Sequence, residues 1–497
     1  MPEPAEKPEK SPADAKPAPQ DQIVETKHTI LLNGEQIPYT VMAGTIVLKE
    51  ESEKKEAGEA EGEKPKATFF FVSYTRDDVT DKSSRPITFS FNGGPGSSSV
   101  WLHLGALGPR RVLMGDAGSL LPPPYRLADN EYSLLATTDL VFIDPVSTGF
   151  SRPTPGEKAR EFHSFTKDIE TVGDFIRLYT TRYLRWSSPK FLIGESYGTT
   201  RAAGLSGYLQ ERHGLYLNGI MLVSAILHFE TAEFDPGNDL PFSLFLPTYA
   251  ATAWYHKKLD PRLQKDLGAT LKEVEAFTGN EYVLALMKGA SLPARERARI
   301  VAKLARYTGL SPEYIDGTDL RINIHRFVKE LLRSEHRTVG RLDSRFMGFD
   351  RDAVGEQTEF DPSMAAIMGP YTATLNDYVR AELKFESDLP YEVLNPRVYP
   401  WSYAENENRY VNVAETLRKA IAINPDLKVF VANGYFDLAT PYLATIYTFN
   451  HMGLEPSLQG NISMAFYEAG HMMYAHEPSL ARLSQDLVGF IKKTAGG

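Results

Sequence analysis

The sequence predicts an α/β protein: a central, mostly parallel sheet with helices on both faces, interrupted by a largely helical insertion. Three observations predict it. Short apolar runs ending in turn residues recur along the chain, as buried parallel strands do. Helical periodicity fills the gaps between several of them. One long stretch, residues 230–425, breaks that rhythm.

Residues 1–22 are rich in Pro, Lys, Glu and Ala and read as a disordered tail. Two alternating apolar runs follow, "HTILLNGEQIPYTVMAGTIVLK" and "TFFFVSYTR", separated by the charged stretch 49–67. That stretch reads as a solvated loop inside an N-terminal antiparallel meander. The buried-strand runs are then "ITFSFNGG" at 87–94, "DLVFIDP" at 139–145, "KFLIGES" at 190–196 and "GIMLVSA" at 219–225. After the insertion come "KVFVANG" at 428–434 and "SMAFYEAG" at 463–470. Phe165, Ile169, Val172, Ile176, Tyr179 and Tyr183 recur at helical spacing. A second helix starts after Ser196 and stops at Gly214, and a third places Leu480, Leu483, Leu487 and Phe490 on one face. The core is thus predicted in two pieces, 23–229 and 426–497, around a mostly helical cap at 230–425 whose segments "PARERARIVAKLARYTG" and "RFVKELLRSEH" are charged and helical.

With 497 residues the chain can bury a large core. A net charge of −10 argues against a nucleic-acid partner, which needs a basic surface. The chain has no cysteine, which excludes disulfides, thiolate metal sites and cysteine nucleophiles. The longest apolar runs are too short to span a bilayer, and the N-terminus shows no secretory signal. The sequence sets no oligomeric state.

Chemistry concentrates at the strand ends. "FLIGESYG" puts Ser196 between glycines on a strand-to-helix turn, the form of a nucleophile elbow. A serine hydroxyl needs a base, and the base an orienting acid. Asp437 lies just beyond the run 428–434, and His471 follows the run 463–470; the separation leaves room for one helix and one strand. Singly, these would be a turn residue and a surface histidine; in this order at strand ends they form a Ser–Asp–His set. An oxyanion would need amide donors: Tyr197, after the nucleophile, and a residue of the rigid loop "NGGPG", which follows the strand run beginning at 87. No metal is expected, since His471 and His476 are poorly spaced for chelation, and Met472 and Met473 suit packing near the site. No cofactor is expected either.

"NGGPGSSS", "LGALGPRRV", "IDPVSTGFS", "GESYG", "NGYFDLATP" and "AGHMMYAHEP" resemble, in order, the serine carboxypeptidase family of the α/β-hydrolase superfamily. The resemblance implies an α/β-hydrolase fold and an exopeptidase acting on peptides with a free C-terminus. It implies catalytic roles for Ser196, Asp437 and His471, an oxyanion hole from the N–H groups of Gly94 and Tyr197, and recognition of the substrate carboxylate by Asn92, the Gly93 N–H and Glu195. Glu195 facing a carboxylate requires a shared proton; its other reading is a structural carboxylate behind the site. The family implies an exported, periplasmic or secreted, protein. The chain departs from the family in three places. Ala106 stands where a supporting glutamate is usual, so esterase or acyltransferase chemistry stays open, as does a non-catalytic binding role. Ser97 and the absence of cysteine suggest a bacterial-type member. Before the acid the chain reads Gly434-Tyr435-Phe436 rather than Gly-Asp. Trp254, Tyr255 and Trp401 would line substrate pockets or fill core.

Overall fold

The computed structural model describes residues 19–53 and 60–496. The expected tail therefore falls largely outside the described residues. Nine strands and one two-residue strand form a single sheet. They are β1 (Gln22–Leu32), β2 (Glu35–Glu53), β3 (Ala60–Arg76), β4 (Ile87–Phe91), β5 (Asp139–Ile143), β6 (Lys190–Glu195), β7 (Gly219–Val223), β8 (Lys428–Gly434) and β9 (Ile462–Tyr467). Their order is β1-β2-β3-β5-β4-β6-β7-β8-β9, with Arg152–Pro153 beside β3. The first three strands and β5 pair antiparallel; from β5 to β9 every neighbour is parallel.

Asn33 and Gly34, both with positive φ, turn β1 into β2 in a two-residue hairpin whose twist suits the flanking strands. The charged stretch expected as loop over 49–67 is largely strand: Lys49 pairs with Pro65 and Glu51 with Glu63, so β2 and β3 run on as a long ribbon. Its charge marks a solvated ribbon, because an antiparallel pair satisfies its own backbone without needing apolar faces. Residues 54–59 of that stretch lie outside the described residues.

The central parallel strands β4 to β7 are buried on both faces, whereas the edge strand β9 is only partly buried. Within β6, Phe191 and Ile193 point into one apolar layer and Leu192 into the other. One layer is closed by α6 (Pro362–Ala381) and α9 (Glu477–Ala495), the other by α1 (Phe165–Arg182), α2 (Tyr197–His213) and α7 (Ala414–Ile423). The predicted faces are the buried ones: Ile169, Val172, Ile176 and Tyr179 on α1, and Leu480, Leu483 and Leu487 on α9. Ser164 caps α1 through the Lys167 N–H, and Gly214 ends α2 in the left-handed conformation.

Between β7 and β8 the chain builds α3 (Leu240–Tyr255), α4 (Leu267–Phe277) and α5 (Ala294–Thr308), whose apolar cluster runs on through Leu332 and Val339 to core Leu438. The rest of the insertion behaves differently. Helices α6 and α7 return to the two layers flanking the sheet. After β8, α8 (Tyr442–Asn450) leads to β9.

Candidate active site

The loops that follow β4, β6, β8 and β9 meet at the carboxyl ends of the parallel strands, the edge where open α/β sheets place their sites. Ser196 follows β6 with φ 59° and ψ −131°, a backbone conformation that costs a non-glycine residue energy. Its N–H is tied to the Val223 carbonyl at 3.0 Å, and its carbonyl accepts from the Thr199 N–H at 2.8 Å. The flanking glycines have a steric reason. A Cβ on Gly194 would lie 2.1 Å from the Gly198 carbonyl oxygen, and one on Gly198 2.9 Å from that of Phe91.

His471, after β9, is bonded through Nδ1 to Asp437 Oδ2 at 2.8 Å. Asp437 is fully buried and held by the Ala439 N–H at 2.7 Å, the Thr440 N–H at 3.0 Å and the Thr440 hydroxyl at 2.7 Å. This arrangement commits Nδ1 and leaves Nε2 without a partner among the described residues. Burial disfavours the imidazolium, but the charge and hydrogen bond of Asp437, joined by Glu195, outweigh it and raise the His471 pKa above its ordinary 6.5. Ser196 and His471 line one cavity of about 320 Å³, together with Gly93, Gly94, Glu195 and Met472. On the other side of Ser196 a wider cleft of about 920 Å³ carries Tyr197, Phe229, Tyr399 and Trp401. The nucleophile candidate thus sits where two pockets join.

The β4 loop packs directly on the start of α2: a Cβ on Gly93 would fall 2.4 Å from the Tyr197 nitrogen. The N–H groups of Gly94 and Tyr197 are unpaired among the described residues and border the same space as Ser196. Behind them, buried Arg201 joins Asp168 at 2.8 Å, donates to the Asn92 carbonyl at 2.5 Å and lies over the Phe91 and Tyr197 rings. That cluster anchors both halves of the loop pair.

Glu195 is buried, and its Oε1 accepts from Asn92 Nδ2 at 3.2 Å. Its Oε2 has no hydrogen-bond partner among the described residues. The buried Tyr474 hydroxyl stands close to it without completing hydrogen-bond geometry, and Tyr371 is near enough to feel its charge. Burial pushes the Glu195 carboxyl up to about 7, against the pull of His471. Ala106 is buried in the helix His103–Leu107; a Cβ on the preceding Gly105 would be 2.5 Å from the Tyr371 hydroxyl.

All eight predicted site residues therefore gather at one strand-end cluster. Of the aromatic candidates, Trp401 lines the wide cleft, whereas Trp254 and Tyr255 pack against apolar clusters. Met472 borders the narrow cavity and Met473 is core. His476 Nδ1 pairs with the Ser479 hydroxyl at 2.8 Å, at the start of α9. Sequence reasoning missed Thr440, which follows Asp437 by three residues and bonds to its carboxylate. It also missed Arg341, which lines both pockets from the insertion.

The family profile described as serine carboxypeptidase matches residues 49–475. The chain belongs to that family. Among curated proteins it is 31% identical over 163 residues to the pheromone-processing carboxypeptidase KEX1 of Saccharomyces cerevisiae, covering 31% of this chain and 20% of that protein. It is 31% identical over 139 residues to carboxypeptidase Y homolog A of Talaromyces stipitatus, covering 28% of this chain and 22% of the relative. The matched part thus spans about a fifth of the length of these relatives. Among solved structures, the prohormone-processing carboxypeptidase Kex1(Δ)p of Saccharomyces cerevisiae superposes with a TM-score of 0.56 at 15% identity, over 92% of this chain and 91% of that one. At that identity the likeness speaks for the fold, and the fold is that of the α/β-hydrolases.

Proposed function

We propose that this member of the family is a serine carboxypeptidase that releases C-terminal amino acids from peptides. The observation that carries the reading is the buried His471–Asp437 pair, opening onto one cavity with Ser196 and with the protonatable Glu195. Ser196 Oγ attacks the carbonyl of the last peptide bond while His471 Nε2 takes its proton. The Gly94 and Tyr197 N–H groups receive the developing oxyanion. The C–N bond then breaks, His471 hands its proton to the leaving amino group, and water repeats the sequence on the acyl-enzyme. Asp437 holds the imidazole in the tautomer that leaves Nε2 free and stabilises the imidazolium. Asn92, the Gly93 N–H and protonated Glu195 take the substrate carboxylate, which confines cleavage to the chain end.

A second reading keeps the acyl-enzyme and changes the acceptor or bond, giving an esterase or acyltransferase. Ala106 favours it, because an alanine at that position gives Glu195 no carboxyl to support it. Digestion of a peptide library followed by mass spectrometry tests both. Stepwise loss of C-terminal residues, with amidated peptides spared, supports the carboxypeptidase; equal rates on free acid, amide and ester support the alternative. We also propose an exported location, periplasmic or secreted, on the family's account; recovery of the protein only in the cytoplasmic fraction overturns it. Among the described residues no helix is long and apolar enough to cross a membrane.

A further inference from the structure

Residues 341–346 run from the insertion across the back of the candidate triad. The Arg341 carbonyl accepts from the Leu438 N–H at 3.0 Å, next to Asp437, and the Leu342 carbonyl accepts from the His471 N–H at 2.7 Å. Ser344 N–H donates to the Phe436 carbonyl at 3.0 Å, and the Arg345 guanidinium to the Glu468 carbonyl at 2.9 Å. A Cβ on Gly470 would lie 2.4 Å from Asp343 Cβ. This segment is therefore bonded to the loops that carry both the acid and the base.

Arg341 sits at the front of this bracket. Its backbone is held from both directions, the N–H by Asp361 Oδ1 at 3.2 Å and the carbonyl by Leu438. Its guanidinium is exposed and, unlike those of Arg321, Arg333 and Arg345, joins no ion pair among the described residues. The side chain borders both the narrow cavity with Glu195 and His471 and the wide cleft on the other side of Ser196. Its charge is felt at His471, His325 and Tyr399, which line these same spaces. An exposed guanidinium on a backbone held from both directions, with no protein partner among the described residues and bordering the reaction centre, gives its donors to water until a ligand displaces it; a planar anion is the group its geometry matches.

We propose that Arg341 is a specificity-determining residue that pairs with the α-carboxylate of the substrate's last residue, in the narrow cavity beside Glu195. The inference rests on the carboxypeptidase reading and adds to it a cation from the insertion. It also gives Ala106 a physical context. With a single glutamate at the carboxylate site, a substrate anion has one shared proton at most; a guanidinium supplies an attraction that does not depend on that proton.

The test is binding to the Ser196→Ala protein, which holds substrate without consuming it. A blocked dipeptide with uncharged side chains is titrated as free acid and as amide, by calorimetry. The free acid binds more tightly to the parent. Arg341→Ala lowers that acid-over-amide ratio by about 10- to 100-fold, the range of a charge-assisted hydrogen bond. Arg341→Lys restores part of it, and melting curves show that each variant is folded. An acid preference that survives Arg341→Ala overturns the role of Arg341 and leaves the carboxypeptidase reading standing. A parent with no acid preference overturns both. If Arg341→Ala changes only the binding of peptides with acidic side chains, the guanidinium reads a side chain instead, and the proposal is wrong.

Discussion

The strand ends and the insertion meet at Ser196 but contribute by different physics. The core's share is short-range: each functional group lies within a few residues of a strand end, on a loop whose glycines let backbones touch, as at Gly93, Gly194 and Gly198. The insertion's share is long-range. Arg341, Tyr399 and Trp401 reach the site from segments of the insertion that bond back to core loops far away in sequence, as at Leu438–Arg341, Asn395–Gly96 and Ser402–His163. Within the insertion there is a further division: α3 to α5 build an apolar cluster that runs on through Leu332 and Val339 to core Leu438, while α6 and α7 belong to the layers on the sheet. The contrast teaches that the candidate triad and the Asn92–Gly93–Glu195 group are placed by the sheet's strand ends, while the insertion adds the side chains that border the pockets around them.

That division can be broken or sharpened by substitution. The largest effect belongs to the core. Ser196→Ala lowers turnover by roughly four to six orders of magnitude on every substrate; a loss below a hundredfold removes Ser196 as nucleophile. Asp437→Asn follows, with about a 10⁴-fold fall in kcat, since an amide facing Nδ1 favours the wrong tautomer. It also lowers the pH at which activity rises, because the partner that raises the His471 pKa is gone. Pre-steady-state acylation across pH reads both.

Glu195 comes next and separates recognition from chemistry. Burial raises its carboxyl to about 7; on the carboxypeptidase reading a substrate carboxylate binds best below that pH, where the proton is shared, and meets the Glu195 charge above it. KM for a free-acid peptide therefore rises as pH passes 7, by about tenfold per pH unit, while KM for the matching ester does not. Glu195→Gln removes the dependence; an identical pH profile for acid and ester in the unaltered protein contradicts it. For stability the sign is the same. A carboxyl raised from 4.5 to about 7 in the folded state contributes fully below 4.5, and that contribution is lost as pH climbs to 7. The smallest effect lies on the insertion surface. Lys288 and Glu296 pair at 2.8 Å with both side chains partly exposed, and Lys288→Ala costs under about 1 kcal/mol of stability with kcat unchanged. A larger fall in melting temperature than that energy allows would show the insertion to be more cooperative than its exposed pairs suggest.

Legibility in the sequence follows the same division. The strand runs from 87 to 225 and at 428–434 were readable because strands buried on both faces must be apolar throughout, and the loops that trail them hold the candidate site residues. The ribbon over 49–53 and 60–67 was unreadable because its charged residues satisfy the backbone by pairing and leave no apolar pattern. Thr440 was within reach, being three residues past the acid; Arg341 was not, since no local pattern distinguishes it from the other arginines.

By itself the sequence determined the sheet's buried strands, the elbow at Ser196 and the order of acid and base after it, because each depends on apolar runs and turn residues only a few positions long. Only the tertiary structure decided that His471 Nδ1 meets Asp437, that Glu195 is buried deeply enough to hold a proton near neutrality, and that Arg341 stands unpaired before Ser196. Those are properties of desolvation and of contacts between distant segments, and no stretch of chain carries them until the insertion has closed over the strand ends.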